Sequence, residues 1–188
     1  MGTILLLVLL AVLVFWGVAA YNGLIALKNQ VENAWKQIDV QLKRRHDLIP
    51  NLVNTVKGAM NFERQTLEAV VEARNKAIAV ESSGASVRAT AEAETQLTGA
   101  LHRLLAVVEA YPQLKATGNI GQLQEELTTT ENKIAFARQL YNDVAAQYNT
   151  KQKQIPTVFV AGFAGAAPVE LWEITDEAER AVPKVELG

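Results

Sequence analysis

The chain has 188 residues, with 18 Lys and Arg against 20 Asp and Glu, and a net charge of −2, so no overall basic field invites nucleic acid. It has no cysteine, which excludes disulfides, thiolate metal sites, a lipobox and a cysteine nucleophile. Ala, Leu, Glu, Gln, Lys and Arg dominate residues 22–155, a helix-forming composition, and Gly and Pro are few and clustered.

The chain opens MGTILLLVLLAVLVFWGVAAYNG, and Thr3 to Ala20 carry no charge. As a helix those residues span about 27 Å, close to the hydrocarbon thickness of a bilayer. A secretory signal would place basic residues before its apolar core, but the first Lys is Lys28. Val18-Ala19-Ala20 resembles a cleavage site, yet the helical pattern runs on past it, and Trp16 and Tyr21 stand where interfacial aromatics belong. The segment reads as a retained single-pass anchor over residues 1–21. Lys28 and Lys36 follow it and no basic side chain precedes it, which favours a short N-terminus outside and the rest of the chain in the cytoplasm.

From residue 22 to 48, Leu24, Leu27, Val31, Trp35, Ile38 and Leu42 form one helical stripe. It resumes after Pro50 with Leu52, Val53, Val56, Met60, Leu67, Val70, Val71 and Ile78. No turn chemistry accompanies Pro50, so the spacing predicts one long helix kinked there, with the first true break at Glu81-Ser82-Ser83-Gly84. A second helix is predicted from about Ser86 to Ala110, with Leu97, Leu101, Leu104, Leu105 and Val108 on one face, ending at Tyr111-Pro112. Thr117-Gly118-Asn119 marks a turn, and Asn119 with Gln122 reads as an N-cap of capping-box type. In the third helix Ile120, Leu127, Ile134, Tyr141, Tyr148 and Ile155 recur every seven residues, with Leu123, Ala137 and Val144 between them, until Pro156. The predicted fold is all-α: an antiparallel bundle of long helices over residues 22–155, preceded by one transmembrane helix.

Residues 156–188 form a tail, apolar in TVFVAGFAGAAPV and acidic from Glu170 onward. Thirteen apolar residues are too few to span a bilayer. A helix merely kinked at Pro50 would leave this tail at the end far from the membrane, and a reversal there would return it to the bilayer. Buried against the bundle the apolar stretch would be ordinary; exposed, it would mark a partner or membrane contact.

His46 and His102 are the two histidines, and neither has a Glu three residues before it, as a di-iron bundle requires. Each reads as a partly exposed helix-surface residue. HExxH, GxSxG, P-loop and dinucleotide patterns are absent from the sequence. Glu92-Ala93-Glu94 and Gln124-Glu125-Glu126 read as solvated helix faces. Lys43-Arg44-Arg45 has two readings: a solvated patch with Asp39 and Asp47, or a contact for anionic headgroups, which an upright helix would hold too far from the membrane. Trp35, Tyr141 and Tyr148 read as core and seam residues. The sequence therefore nominates no catalytic, cofactor-binding or metal-binding residue.

The blocks YNGLIALKNQVENAWKQIDVQLKRRHDLIPNLVNTVKG, LEAVVEARNKA, LHRLLAVVEAYPQLKA, LQEELTTTENKIAFARQLYNDVAAQYN and AVPKVELG resemble the LemA family in order and spacing, over residues 21–187. The tail is poorer in large aromatics than the family pattern. The resemblance implies an N-terminal anchor with a short external N-terminus, a long-helix bundle and, for some members, association with magnetosome membranes. It implies no catalytic residues. The functional expectation is a non-enzymatic, self-assembling membrane scaffold that presents its helices to protein partners or shapes membrane. Alternatives are a regulatory module coupling an envelope event to a cytoplasmic partner through Pro50, and an oligomeric enzyme or transport component.

Overall fold

Helix α1 runs without interruption from Gly2 to Lys57 in a computed structural model that describes residues 1–57, 64–111 and 118–173. It is followed by α2 (Arg64–Ser82), α3 (Val87–Glu109), α4 (Gly118–Lys151) and a short α5 (Val158–Ala161). The described residues form helices and turns with no strand, as the all-α expectation requires.

Local chemistry fixes several ends. Gly84 closes α2 at φ +65°, a conformation without steric cost for glycine, and its N–H donates to Glu81 O at 3.2 Å. Ser86 caps α3 by accepting from Ala89 N at 3.2 Å, and Ala110 ends it with its N–H on Val107 O. Asn119 is no N-cap: α4 begins at Gly118 and takes Asn119 into its first turn. Nor does the seven-residue seam reach Ile155, because α4 stops at Lys151 and leaves Ile155 80% exposed, while Tyr148 is buried.

Pro50 lies inside α1, so the chain passes through it without reversing. The helix does not continue to Ile78, however. Arg74 Nε bonds the carbonyl of His46 at 2.7 Å, whereas a continuous helix would hold residues 28 positions apart about 42 Å from each other. Thus α2 folds back along α1. Lys76 Nζ meets Gln96 Oε1 at 2.8 Å, which brings α3 beside α2, and Arg45 reaches both Thr98 of α3 and Glu131 of α4. Among the described residues there are four long helices where three were expected; Met60, in the expected stripe, lies outside the described residues.

The chain divides into two compact units. One comprises Asp39–Phe136 with Trp172–Gly188. Its core gathers Ile49, Leu52 and Val56 of α1, Leu67 and Val70 of α2, Leu97, Leu101 and Leu104 of α3, and Ile120 and Leu127 of α4. The other comprises Met1–Ile38 with Ala137–Leu171. There Leu24, Val31 and Ile38 are buried on α1, with Ala137, Tyr141, Ala145 and Tyr148 on α4, and Trp35 meets Tyr141 edge to face with ring centres 5.3 Å apart. Beyond Lys151 the tail turns and comes back along α4: Asn149 donates to Val169 O at 2.8 Å and accepts from Val169 N at 2.9 Å, and Tyr141 Oη donates to Glu170 O at 2.7 Å.

Candidate functional site

Leu24, Val31 and Ile38 step along α1 by seven residues, and the next two steps are Arg45 and Leu52. Glu94, Leu101 and Val108 keep the same spacing on α3. An arginine and a glutamate therefore stand at positions that the helical period points into the core. Both are buried there, Arg45 at 1% and Glu94 at 3% exposure.

Arg45 Nη2 is paired with Glu94 Oε2, and Nη1 donates to Thr98 Oγ1 at 2.9 Å and to Glu131 Oε1. His46, also buried, sets Nε2 against Glu94 Oε1 at 2.8 Å and Nδ1 at 3.6 Å from Glu81 Oε2. One arginine and one histidine on adjacent positions of α1 thus engage carboxylates from α2, α3 and α4. Burial by itself pushes the Glu94 carboxyl up, but the His46 hydrogen bond and the Arg45 charge outweigh it and hold the group below the usual carboxylate range. Burial likewise opposes the Arg45 charge, and Glu94 and Glu131 overcome it and hold the guanidinium more firmly protonated. Glu81 moves the other way, chiefly because burial disfavours its charge.

Three surface assignments are corrected by this geometry. Lys43-Arg44-Arg45 is not one patch: Lys43 and Arg44 face solvent, Arg44 lies 3.9 Å from Glu126, and Arg45 points inward. The partner of Arg45 is not Asp39 or Asp47 but Glu94, 49 positions away. Likewise Glu94 is a core residue in a run read as solvated, and His46 is buried, whereas His102 is exposed as expected. The signal was present in the seven-residue arithmetic, which the charge of these side chains masked.

Chemically the cluster is a set of paired and hydrogen-bonded polar side chains that ties α1 to α2, α3 and α4. Among the described residues no group of three or more His, Cys, Asp or Glu is placed to hold a metal ion.

Comparison with known proteins places this cluster in a family context. The family model described as LemA family matches residues 34–187, which includes every residue of the cluster. The chain belongs to the LemA family. It is 28% identical to Protein LemA of Metamycoplasma hominis over 130 residues, covering 69% of this chain and 58% of that protein. It is 23% identical to Magnetosome protein MamQ of Magnetospirillum gryphiswaldense over 172 residues, 80% of this chain and 63% of the relative. Magnetosome protein MamQ 2 of Paramagnetospirillum magneticum is 22% identical over 175 residues, with 81% and 64% covered. The chain thus matches about three-fifths of the length of these relatives. Within this LemA-family member, α1 is the described helix long and apolar enough to cross a membrane, and its Gly2–Phe15 portion is exposed throughout.

Proposed function

We propose that this LemA-family chain is a single-pass membrane scaffold: α1 anchors it, copies of the chain assemble through their helices, and the bundle presents surfaces to partner proteins, without catalysis of its own. The carrying observation is the two-part character of α1. Its first portion is apolar and bare, and from Leu24 onward the same helix turns one stripe into a packed core. An apolar face left exposed over that length belongs in lipid, and a helix continuous with it ties the core to the membrane. The names of two relatives, magnetosome proteins, lend support to a role at a membrane-bounded structure. The flanking Lys28 and Lys36 favour the end before the span outside and the bundle in the cytoplasm.

Carbonate extraction of cell membranes and crosslinking in detergent test this reading together. Full-length protein should resist extraction, lose that resistance when residues 2–20 are deleted, and crosslink to copies of itself. Strictly monomeric protein across a range of concentrations, with no crosslinked partner, overturns the scaffold. Orientation is read with single cysteines at Thr3 and Gly118 and an impermeant thiol reagent on intact cells; labelling at Thr3 alone is expected.

A further inference from the structure

The tail leaves α4 at Lys151 and is tied back to it at Asn149, so the residues between form an excursion fixed at both ends. From Gln154 to Val169 the excursion carries no charge. Its backbone is helical around α5, with Ala161 N on Thr157 O at 3.0 Å and Ala164 N on Val160 O at 3.1 Å. Two residues of helix turn the chain by about 200°, so alternate pairs face opposite ways. Thr157 and Ala161 face inward and are buried. Phe159 and Phe163, on the opposite side, are 69% and 87% exposed, and Ile155 is 80% exposed. A helix facing water would reverse that arrangement: here the small and polar side chains are inside and the large aromatic ones outside.

The pairing of α1 with α4 says where this face lies. Trp35 meets Tyr141, and Leu27 lines a groove of about 410 Å³ together with Ala146, Gln147, Thr150, Lys151 and Gln154. Antiparallel helices advance by the same rise, so the numbers of facing residues keep a constant sum, here about 176. α4 ends at Lys151, which this sum sets level with Ile25, four residues from Tyr21 at the end of the apolar segment of α1. Within that segment Trp16, Gly17 and Ala20 are partly covered while the other residues of 1–23 are exposed. Lys151 and Lys153, both exposed, immediately precede the apolar run, and lysines beside a membrane reach headgroup phosphates.

We infer that residues 155–163 dip into the bilayer interface beside α1, with Phe159 and Phe163 in the acyl boundary and Lys151 and Lys153 at the headgroups, giving the protein a second membrane contact. The occupant is lipid because the exposed apolar face begins where α4 ends, about one helical turn short of an apolar segment that is itself exposed from Gly2 to Phe15. Interfacial segments of this kind seat aromatic side chains a few ångströms below the headgroups. The inference rests on the anchor reading of α1 and adds an element that reads the membrane surface.

The chain has no cysteine, so single replacements report without background. Full-length Phe159→Cys, Phe163→Cys, Leu10→Cys and Gln139→Cys variants, each carrying an environment-sensitive fluorophore, are reconstituted into vesicles of 3:1 phosphatidylcholine and phosphatidylglycerol. Lipids with a quencher high or low on the acyl chain are then included. Shallow quencher should lower emission at positions 159 and 163 about twofold or more relative to Gln139, and deep quencher should act at Leu10. Unquenched probes at 159 and 163 with Leu10 quenched overturn the interfacial contact and leave the anchor standing. An unquenched Leu10 overturns both. Blue-shifted emission at 159 and 163 that lipid quenchers leave untouched, and that grows with protein density, assigns the face to a second copy of the chain and overturns the lipid contact.

Discussion

Arg74 of α2 donates from Nε to the main-chain carbonyl of His46 at 2.7 Å, and this is the carbonyl that Pro50 leaves without a helical donor. A proline at position 50 has no N–H to give to residue 46, and a buried carbonyl left without a partner would cost free energy. The guanidinium restores the missing bond from a neighbouring helix. Pro50 is therefore a place where α2 is stapled to α1, which disfavours its use as a free hinge. The carbonyl belongs to a residue whose imidazole holds Glu94, so the staple also backs the ionic cluster.

Arg74→Ala should destabilise the full-length protein by about 1–2 kcal/mol, the cost of an unpaired buried acceptor. In a Pro50→Ala background the backbone N–H regained at position 50 supplies the bond, and the same replacement should cost about 1 kcal/mol less. Urea unfolding of the four proteins in detergent micelles measures the coupling. Additive effects would mean that the proline and the arginine are neighbours without a functional link.

The ionic cluster makes a different forecast for single and paired changes. Glu94→Leu strands the buried Arg45 charge on Glu131 alone and should cost about 3–5 kcal/mol. Leucine at both 45 and 94 extends the stripe of Ile38 and Leu52 and that of Leu101, and should recover to within about 1 kcal/mol of the parent protein. Denaturant midpoints in micelles check this. A double variant as unstable as Glu94→Leu would show that Arg45 packs in a way leucine cannot replace.

Acid should act through Glu94. Its carboxyl lies lower in the folded chain than in the unfolded one, so its contribution is complete above the ordinary glutamate value of about 4.3 and is lost as pH falls through the folded value. Glu81, raised by burial, has the opposite sign: the folded chain holds its proton more tightly, so acidification through its folded value strengthens folding. Between pH 7 and about 3, Glu94→Gln should lose less stability than the parent protein and Glu81→Gln should lose more. Unfolding midpoints at the two pH values decide the signs, and parallel curves for all three proteins would remove both groups from the acid response.

Asn149 holds the returning tail by two hydrogen bonds to Val169 and Tyr141 holds it by one to Glu170. Asn149→Ala should expose the segment after Lys151 and Lys153 to trypsin about tenfold faster or more, with α4 itself intact by circular dichroism. Tyr141→Phe, which removes one bond and keeps the ring against Trp35, should have a smaller effect. Equal cleavage in all three proteins would show that apolar contacts of the tail alone hold it.

Much of this protein was determined by its sequence. The period of apolar side chains set α3, the seam from Ile120 to Tyr148 and the bare first portion of α1, because burying a helix face demands one spacing wherever the helix lies. Gly84 and Ser86 set a turn, because local backbone chemistry needs no distant partner. What the tertiary structure decided depends on residues far apart in the chain. Arg45 and Glu94 look like surface charges because each alone would be costly to bury, and only their meeting across 49 positions makes their core places tolerable. The return of α2 along α1 was hidden because the apolar stripe continues on both sides of the break, and periodicity does not record direction. That return adds a fourth helix, so α4 runs back along α1 and ends at Lys151, about one turn short of the apolar segment of α1, with Phe159 and Phe163 beyond it. The position of the tail follows from how many times the chain folds back, a global count that no local pattern carries.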